Sequence, residues 1–67
     1  MELRRLIEAR GLSPYQVSKN AGLAAATINV ICRGDRKWQT LKFETLEKIA
    51  YGMGVDVLDL IENLMDE

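Results

Sequence analysis

Apolar residues recur every three or four positions along most of the chain, which is the period of an amphipathic α-helix. This pattern predicts five helices, at about residues 2–10, 14–21, 24–32, 42–52 and 56–65. No stretch alternates apolar and polar residues for long enough to form a strand. We therefore expect residues 1–67 to form one all-α domain, a compact bundle of five short helices.

Two of the helix starts carry a polar signal of their own. Ser13 is a good N-cap, Pro14 fits the first helical position, where no amide donor is needed, and Gln16 lies where a capping box requires it. Asp56 precedes the fifth helix and is expected to cap it. In the fourth helix, the helical spacing of apolar residues runs through Phe43, Leu46, Ile49 and Ala50.

The connection between the second and third helices is typical of a helix-turn-helix. Ala21 is small enough for two helices to approach closely, and Gly22 allows the backbone to turn sharply after the first of them. Ile28 and Ile31 supply apolar anchors on one face of the third helix. Such a unit, at about residues 14–33, leaves the outer face of the third helix free to enter a major groove.

The composition narrows the classes of function. The chain has no histidine and one cysteine, which removes the commonest general base, the commonest metal ligand and any internal disulfide. We expect Cys32 to act as a small buried hydrophobe and not as a reactive thiol. Without a glycine-rich phosphate loop either, no catalytic constellation can be assembled, and we expect a binding module with no metal or cofactor. The chain begins with an amphipathic pattern and has no long apolar run, which predicts no signal peptide, no membrane span and a cytoplasmic location.

The net charge of −1 is an average over two unlike parts of the chain. Residues 1–55 contain all nine Lys and Arg residues and five acids, whereas residues 56–67 contain five acids and no base. Phosphate binding needs only a local basic face, so the acidic end does not exclude nucleic acid as a partner. The surplus of positive charge is modest, and any such binding should weaken quickly with salt.

Several short motifs now point to one family. They are Leu12-Ser13, Val17-Ser18-Lys19-Asn20-Ala21-Gly22-Leu23, Thr27-Ile28, Ile31-Cys32-Arg33-Gly34, Leu46-Glu47-Lys48-Ile49-Ala50, Gly54-Val55 and Leu58. Their order and spacing, from Leu3 to Leu60, resemble the Cro and phage-repressor-type helix-turn-helix regulators, the XRE family. The resemblance implies a five-helix, lambda-repressor-like domain that acts as a homodimer on an operator in double-stranded DNA, with the third helix in the major groove.

The positions that the family uses to read bases carry unusual residues here. Pro14 stands where the family often has a glutamine that touches DNA, and alanines open the third helix. The resemblance assigns base reading to Ala25, Ala26, Thr27, Asn29 and Val30. The alanines serve either as a strong helix start or as an apolar surface for thymine methyl groups. Asn29 is the best candidate for a hydrogen bond with a base, since asparagine can read adenine.

Contacts to the DNA backbone are expected from polar and basic residues on both sides of the third helix. They are Ser13, Tyr15, Gln16, Arg33, Arg36, Lys37 and Lys42. Arg33 could instead balance the negative end of its helix, and Arg36 with Lys37 could be a solvated pair. For Tyr15, the sequence does not distinguish packing against the protein from a hydrogen bond to a phosphate. Trp38, within the same polar loop, is expected to cover the small core.

The last helix carries more apolar residues than one helix face should hold in so small a protein. We predict that Val57, Leu60, Ile61, Leu64 and Met65 contribute to a dimer interface. The alternative is an ordinary terminal helix that covers the core of its own chain.

The sequence therefore predicts a DNA-binding transcriptional regulator, a dimeric repressor that reads its operator through the third helix. By family analogy, a phage-derived or plasmid-type regulator and the regulatory half of a toxin–antitoxin pair both fit a chain of this size. The alternative function is a protein-interaction module that keeps the fold but has lost base reading, which the alanines and the acidic pI favour. The sequence indicates no small-molecule ligand.

Overall fold

The five predicted helices are present in the computed structural model, which describes residues 1–66. They are α1 (Leu3–Ala9), α2 (Pro14–Ala21), α3 (Ala25–Cys32), α4 (Phe43–Met53) and α5 (Val57–Met65). Every predicted boundary lies within one residue of the observed one, and residues 1–66 contain no strand. A short 3₁₀ turn, Trp38–Thr40, lies within the predicted loop. None of the helices described combines the length and apolar character needed to cross a bilayer.

All five helices contribute buried apolar side chains to one core. The buried residues are Leu3, Ile7, Val17, Ile28, Ile31, Leu41, Leu46, Ile49, Ala50, Met53, Leu60 and Leu64. Helices of 7 to 11 residues are marginal when isolated, so this shared packing, and not intrinsic propensity, stabilises them. Phe43 fits the apolar spacing of α4, but its side chain remains 53% exposed at the start of that helix.

The predicted capping box at the start of α2 is confirmed. Ser13 Oγ accepts a hydrogen bond from the Gln16 amide at 3.2 Å, and Gln16 Oε1 accepts one from the Ser13 amide at 2.9 Å. At the other end of α2, Gly22 adopts a left-handed conformation with φ of 71°, which turns the chain toward α3. The cap predicted for α5 is also present, because the Leu58 amide donates to Asp56 Oδ1 at 3.0 Å.

Replacing Ser13 by alanine should lower the free energy of unfolding by about 1 kcal/mol, because the Gln16 amide loses its acceptor at the end of a helix. Urea unfolding followed by circular dichroism measures the change. Ser13→Asn restores an N-cap acceptor and should recover most of the loss. Equal destabilisation by both substitutions would contradict a capping role for this side chain.

Helices α2 and α4 approach each other closely at Gly52. A Cβ atom added at Gly52 would lie 2.7 Å from the Val17 carbonyl oxygen and 3.0 Å from Ala21 Cβ. The side-chain amide of Asn20 donates to the Gly52 carbonyl oxygen at 3.2 Å, which joins the two helices at the same point. The end of α4 is further held by Arg10, whose Nε donates to the Met53 carbonyl oxygen at 2.8 Å. The first helix of the helix-turn-helix is therefore fixed to the remainder of the core.

The last helix does not present its whole apolar stripe to solvent. Leu60 and Leu64 are only 1% and 7% exposed and belong to the core of their own chain, which corrects their assignment to a dimer surface. Val57 and Ile61 are half-buried and pack against that core. Of the five residues predicted to meet a partner, Met65 alone is largely exposed. The main role of α5 is thus to cover the core of its own chain.

Candidate nucleic-acid interface

Helix α3 has a buried side and an exposed side. Ile28 is fully buried and Ile31 nearly so, and both face the core beneath α2. Ala26, Asn29 and Arg33 are exposed and lie three and four residues apart, so they form one stripe along the helix. We call these three residues the outer stripe. An α-helix anchored on one side and open on the other has the shape that a major groove admits.

The remaining residues predicted to read bases lie at the edges of the outer stripe. Ala25, Thr27 and Val30 are half-buried, and Val30 packs partly against the core. Ala24 precedes α3 and makes no side-chain capping bond. The surface at the start of α3 is therefore apolar and formed by short side chains. Asn29 is the one residue of the outer stripe with an amide side chain.

The loop after α3 folds back onto the end of that helix. The backbone amides of Asp35 and Arg36 both donate to the Val30 carbonyl oxygen, at 3.0 and 3.2 Å. This arrangement holds the start of the loop beside the last turn of α3. The basic residues predicted to contact phosphate here, Arg33, Arg36, Lys37 and Lys42, are all exposed.

One ion pair competes for the basic side chains. Arg33 Nε lies 3.2 Å from Asp35 Oδ2, and both side chains are more than 60% exposed. An exposed pair of this kind contributes little to stability, so Arg33 can exchange its carboxylate for a phosphate at small cost. Because Arg33 pairs with a carboxylate in the loop, its role is not restricted to balancing the negative end of α3.

Trp38 packs partly against the core, which confirms its predicted role as a cover. It begins the 3₁₀ turn, where Thr40 Oγ1 donates to the Lys37 carbonyl oxygen at 2.7 Å. Leu41, directly after this turn, is buried and anchors the loop. The loop between α3 and α4 is therefore attached to the remainder of the protein at both of its ends.

On the α2 side, the cap uses part of the predicted contact surface. Ser13 Oγ and Gln16 Oε1 accept hydrogen bonds within the cap, which leaves the Ser13 hydroxyl proton and the Gln16 amide protons as donors. Tyr15 is 60% exposed, and Lys19 Nζ lies 5.4 Å from the centre of its ring. This cation was missed by sequence reasoning, although its spacing of four from Tyr15 on a helix could have indicated the pair.

Positive charge is concentrated on the helix-turn-helix and the loop that follows it. Residues 14–42 contain five basic residues and a single acid, Asp35. All five cations are exposed, whereas the acids of α5 lie outside this segment. Phosphate groups beside a helix in the major groove are the natural partners of such a surface.

The surroundings of the one thiol in the chain do not activate it. Cys32 is half-buried at the end of α3 and packs against the core, less completely than expected. Burial raises the pKa of the Cys32 thiol, and the nearby Arg4 only partly opposes this effect. Within residues 1–66, no three His, Cys, Asp or Glu side chains are grouped closely enough to hold a metal ion.

Comparison with known proteins agrees with this geometry. Neither curated proteins nor solved structures give a significant match. A family model for the Cro/C1-type helix-turn-helix DNA-binding domain matches residues 2–63 of the 67-residue chain. The match includes all of α1 to α4 and most of α5. The chain belongs to the Cro/C1-type helix-turn-helix DNA-binding domain family.

Proposed function

We propose that this protein is a sequence-specific repressor that binds its operator as a homodimer, with α3 in the major groove. The observation that carries the proposal is the outer stripe of α3, which is exposed while Ile28 and Ile31 anchor the opposite side. A repressor of this kind acts by occupying its operator and excluding other proteins from the same DNA.

Base reading is assigned mainly to Asn29, whose amide can donate to and accept from adenine in the major groove. Ala25 and Ala26 lie about one turn closer to the start of α3 and offer methyl groups to thymine. Thr27 and Val30 flank this surface. Both are half-buried, so we assign them a smaller area of contact with the bases. Such a surface favours sites rich in A·T pairs.

Backbone contacts are assigned to two groups of residues on either side of α3. Arg33, Arg36, Lys37 and Lys42 meet the phosphates on one side. Ser13, Tyr15, Gln16 and Lys19 meet them near the start and along the exposed side of α2. Phosphate contacts position the protein without reading sequence, so these residues set affinity more than specificity.

For the dimer, α5 supplies the part of its apolar stripe that the core leaves open. Met65 is 66% exposed, and Val57 and Ile61 keep part of their surface open. Leu58, which is 64% exposed, was not among the residues first predicted for this surface. If the two copies of α3 in such a dimer enter successive major grooves, the half-sites lie about one helical turn apart.

Selection of bound sites from random double-stranded DNA tests the proposal. We expect an enriched two-fold symmetric sequence, and Asn29→Ala should reduce the preference for it by about ten-fold. Asn63→Ala is the matched control, since Asn63 is an exposed asparagine on α5. Failure of the unaltered protein to enrich any sequence at low salt would overturn the proposal.

A second candidate function is a protein-interaction module, favoured by the apolar start of α3 and by exposed apolar residues such as Tyr51. The double substitution Asn29→Ala with Arg33→Ala separates the two candidates. Loss of regulation in the cell supports DNA reading. Unchanged function in the cell supports protein interaction instead.

A further inference from the structure

A cleft of about 390 Å³ lies where the end of α3 and the following loop meet the first residues of the chain and the end of α5. Its apolar lining includes Leu3, Ile31 and Leu64, which come from three different helices. Trp38 lines the cleft and is only half-buried, so it is accessible to a molecule in this space. We call this feature the Trp38 cleft.

The charged residues at the Trp38 cleft are mostly basic. Arg33, Arg36 and Lys37 line it, and Glu2 is the one acidic side chain among its lining residues. All four side chains are exposed, which places the charge at the rim and the apolar residues below it. The volume falls within the range of about 300–1,000 Å³ that is usual for small-molecule sites.

We propose that the Trp38 cleft binds a small aromatic carboxylate. The ring of such a ligand would lie against Trp38 and the apolar lining, where aromatic groups favour offset or edge-to-face contact. Its carboxylate would meet the rim, where a guanidinium can donate two parallel hydrogen bonds to the two oxygens. A neutral aromatic molecule leaves the rim cations unused, and an aliphatic acid makes poorer contact with Trp38.

Occupation of the cleft should weaken DNA binding, a consequence that rests on the proposed function. Arg33, Arg36 and Lys37 are the same residues that are assigned to phosphate groups. A carboxylate held by them neutralises part of the charge that attracts DNA. By thermodynamic linkage, DNA must weaken the binding of the ligand by the same factor.

Titration with benzoate in the absence of DNA tests the cleft itself. Trp38 is the sole tryptophan, so its fluorescence reports on the site, and Cys32, the sole cysteine, also lines the cleft. We expect a saturable fluorescence change and slower alkylation of Cys32 by iodoacetamide, with chloride replacing benzoate at equal ionic strength as the reference. Benzamide, the neutral analogue, should bind about ten-fold more weakly because it lacks the charge. Cyclohexanecarboxylate should also bind more weakly than benzoate.

Variants locate the binding to the cleft. Arg36→Gln with Lys37→Gln should weaken benzoate binding by about ten-fold, whereas Lys48→Gln, on α4, should leave it unchanged. Trp38→Leu removes the ring and should also weaken binding, with Cys32 alkylation as the readout. Absence of a saturable response to benzoate, or equal responses to benzoate and benzamide, would overturn the proposed ligand class.

The effect on DNA is measured separately, with a fragment selected for binding. Saturating benzoate should raise the Kd for DNA several-fold, and chloride at the same ionic strength should not. Benzoate binding with an unchanged Kd for DNA would overturn the coupling but not the cleft. If the protein binds no DNA even without benzoate, the proposed function fails. The benzoate titration without DNA still tests whether the Trp38 cleft binds an aromatic carboxylate.

Discussion

Replacing Gly52 by alanine should lower the free energy of unfolding by about 1–3 kcal/mol, which is the usual range for an overpacked core. In an open helix, the same change would stabilise by up to about 1 kcal/mol, because alanine is the better helix former. Here the new Cβ would lie 2.7 Å from the Val17 carbonyl oxygen. That oxygen belongs to the backbone of α2 and cannot rotate away, so α2 and α4 would have to separate.

Thermal and urea unfolding measure the effect of Gly52→Ala, and a domain of this size should lose roughly 4–8 °C in Tm for each kcal/mol. The matched control is Glu47→Ala, an exposed position in the same helix, which should stay within about 0.5 kcal/mol of the unaltered protein. A Gly52→Ala protein as stable as this control would show that the two helices are not in close contact at this point.

Removing three cations from the loop side of α3 should have the largest effect on DNA binding. In the triple variant Arg33→Gln, Arg36→Gln, Lys37→Gln, the affinity for the selected DNA should fall on the order of 100-fold at low salt. Each phosphate contact contributes about 0.9 to the slope of log K against log salt, so the slope should become shallower by roughly 2–3. Mobility-shift or anisotropy titrations over a range of salt concentrations give both quantities.

A second triple variant provides a control with the same net charge. Arg4→Gln, Arg5→Gln and Lys48→Gln also remove three exposed cations, but from α1 and α4, outside the helix-turn-helix and its loop. In the structure, Arg4 pairs with Glu8 and Lys48 with Glu44. We expect this variant to change the slope of log K against log salt by less than about 0.9, the value for one phosphate contact. Equal losses in the two triple variants would mean that total charge, and not the loop beside α3, governs binding.

Much of the local structure could be predicted from the sequence because its causes are local. The capping box of Ser13 and Gln16 needs only residues three positions apart. The exposure of Asn29 opposite Ile28 and Ile31 follows from the helical period alone. For the same reason, the three residues of the outer stripe could be placed on one face before any tertiary contact was known.

Other features depend on which elements meet, and here the sequence was insufficient. The apolar period of α5 marks Leu60, Leu64 and Met65 alike, but only the packing of α5 on the core decides that the first two are buried and the third is open. Phe43 fits the apolar spacing of α4 and is still exposed, because no element covers the start of that helix closely enough to bury it. Periodicity tells which side chains share a face and not what lies against that face.

The helix-turn-helix between Ser13 and Arg33 was determined by the sequence itself, through its cap, its turn glycine and its apolar anchors. The tertiary structure alone decided that Gly52 must lack a side chain, since the Val17 oxygen that requires this lies 35 positions earlier in the chain. It also brought Trp38 beside Leu3 and Leu64 to form a cleft at the end of α3. Distances between residues far apart in sequence are set by the packing of whole helices, which no local pattern encodes.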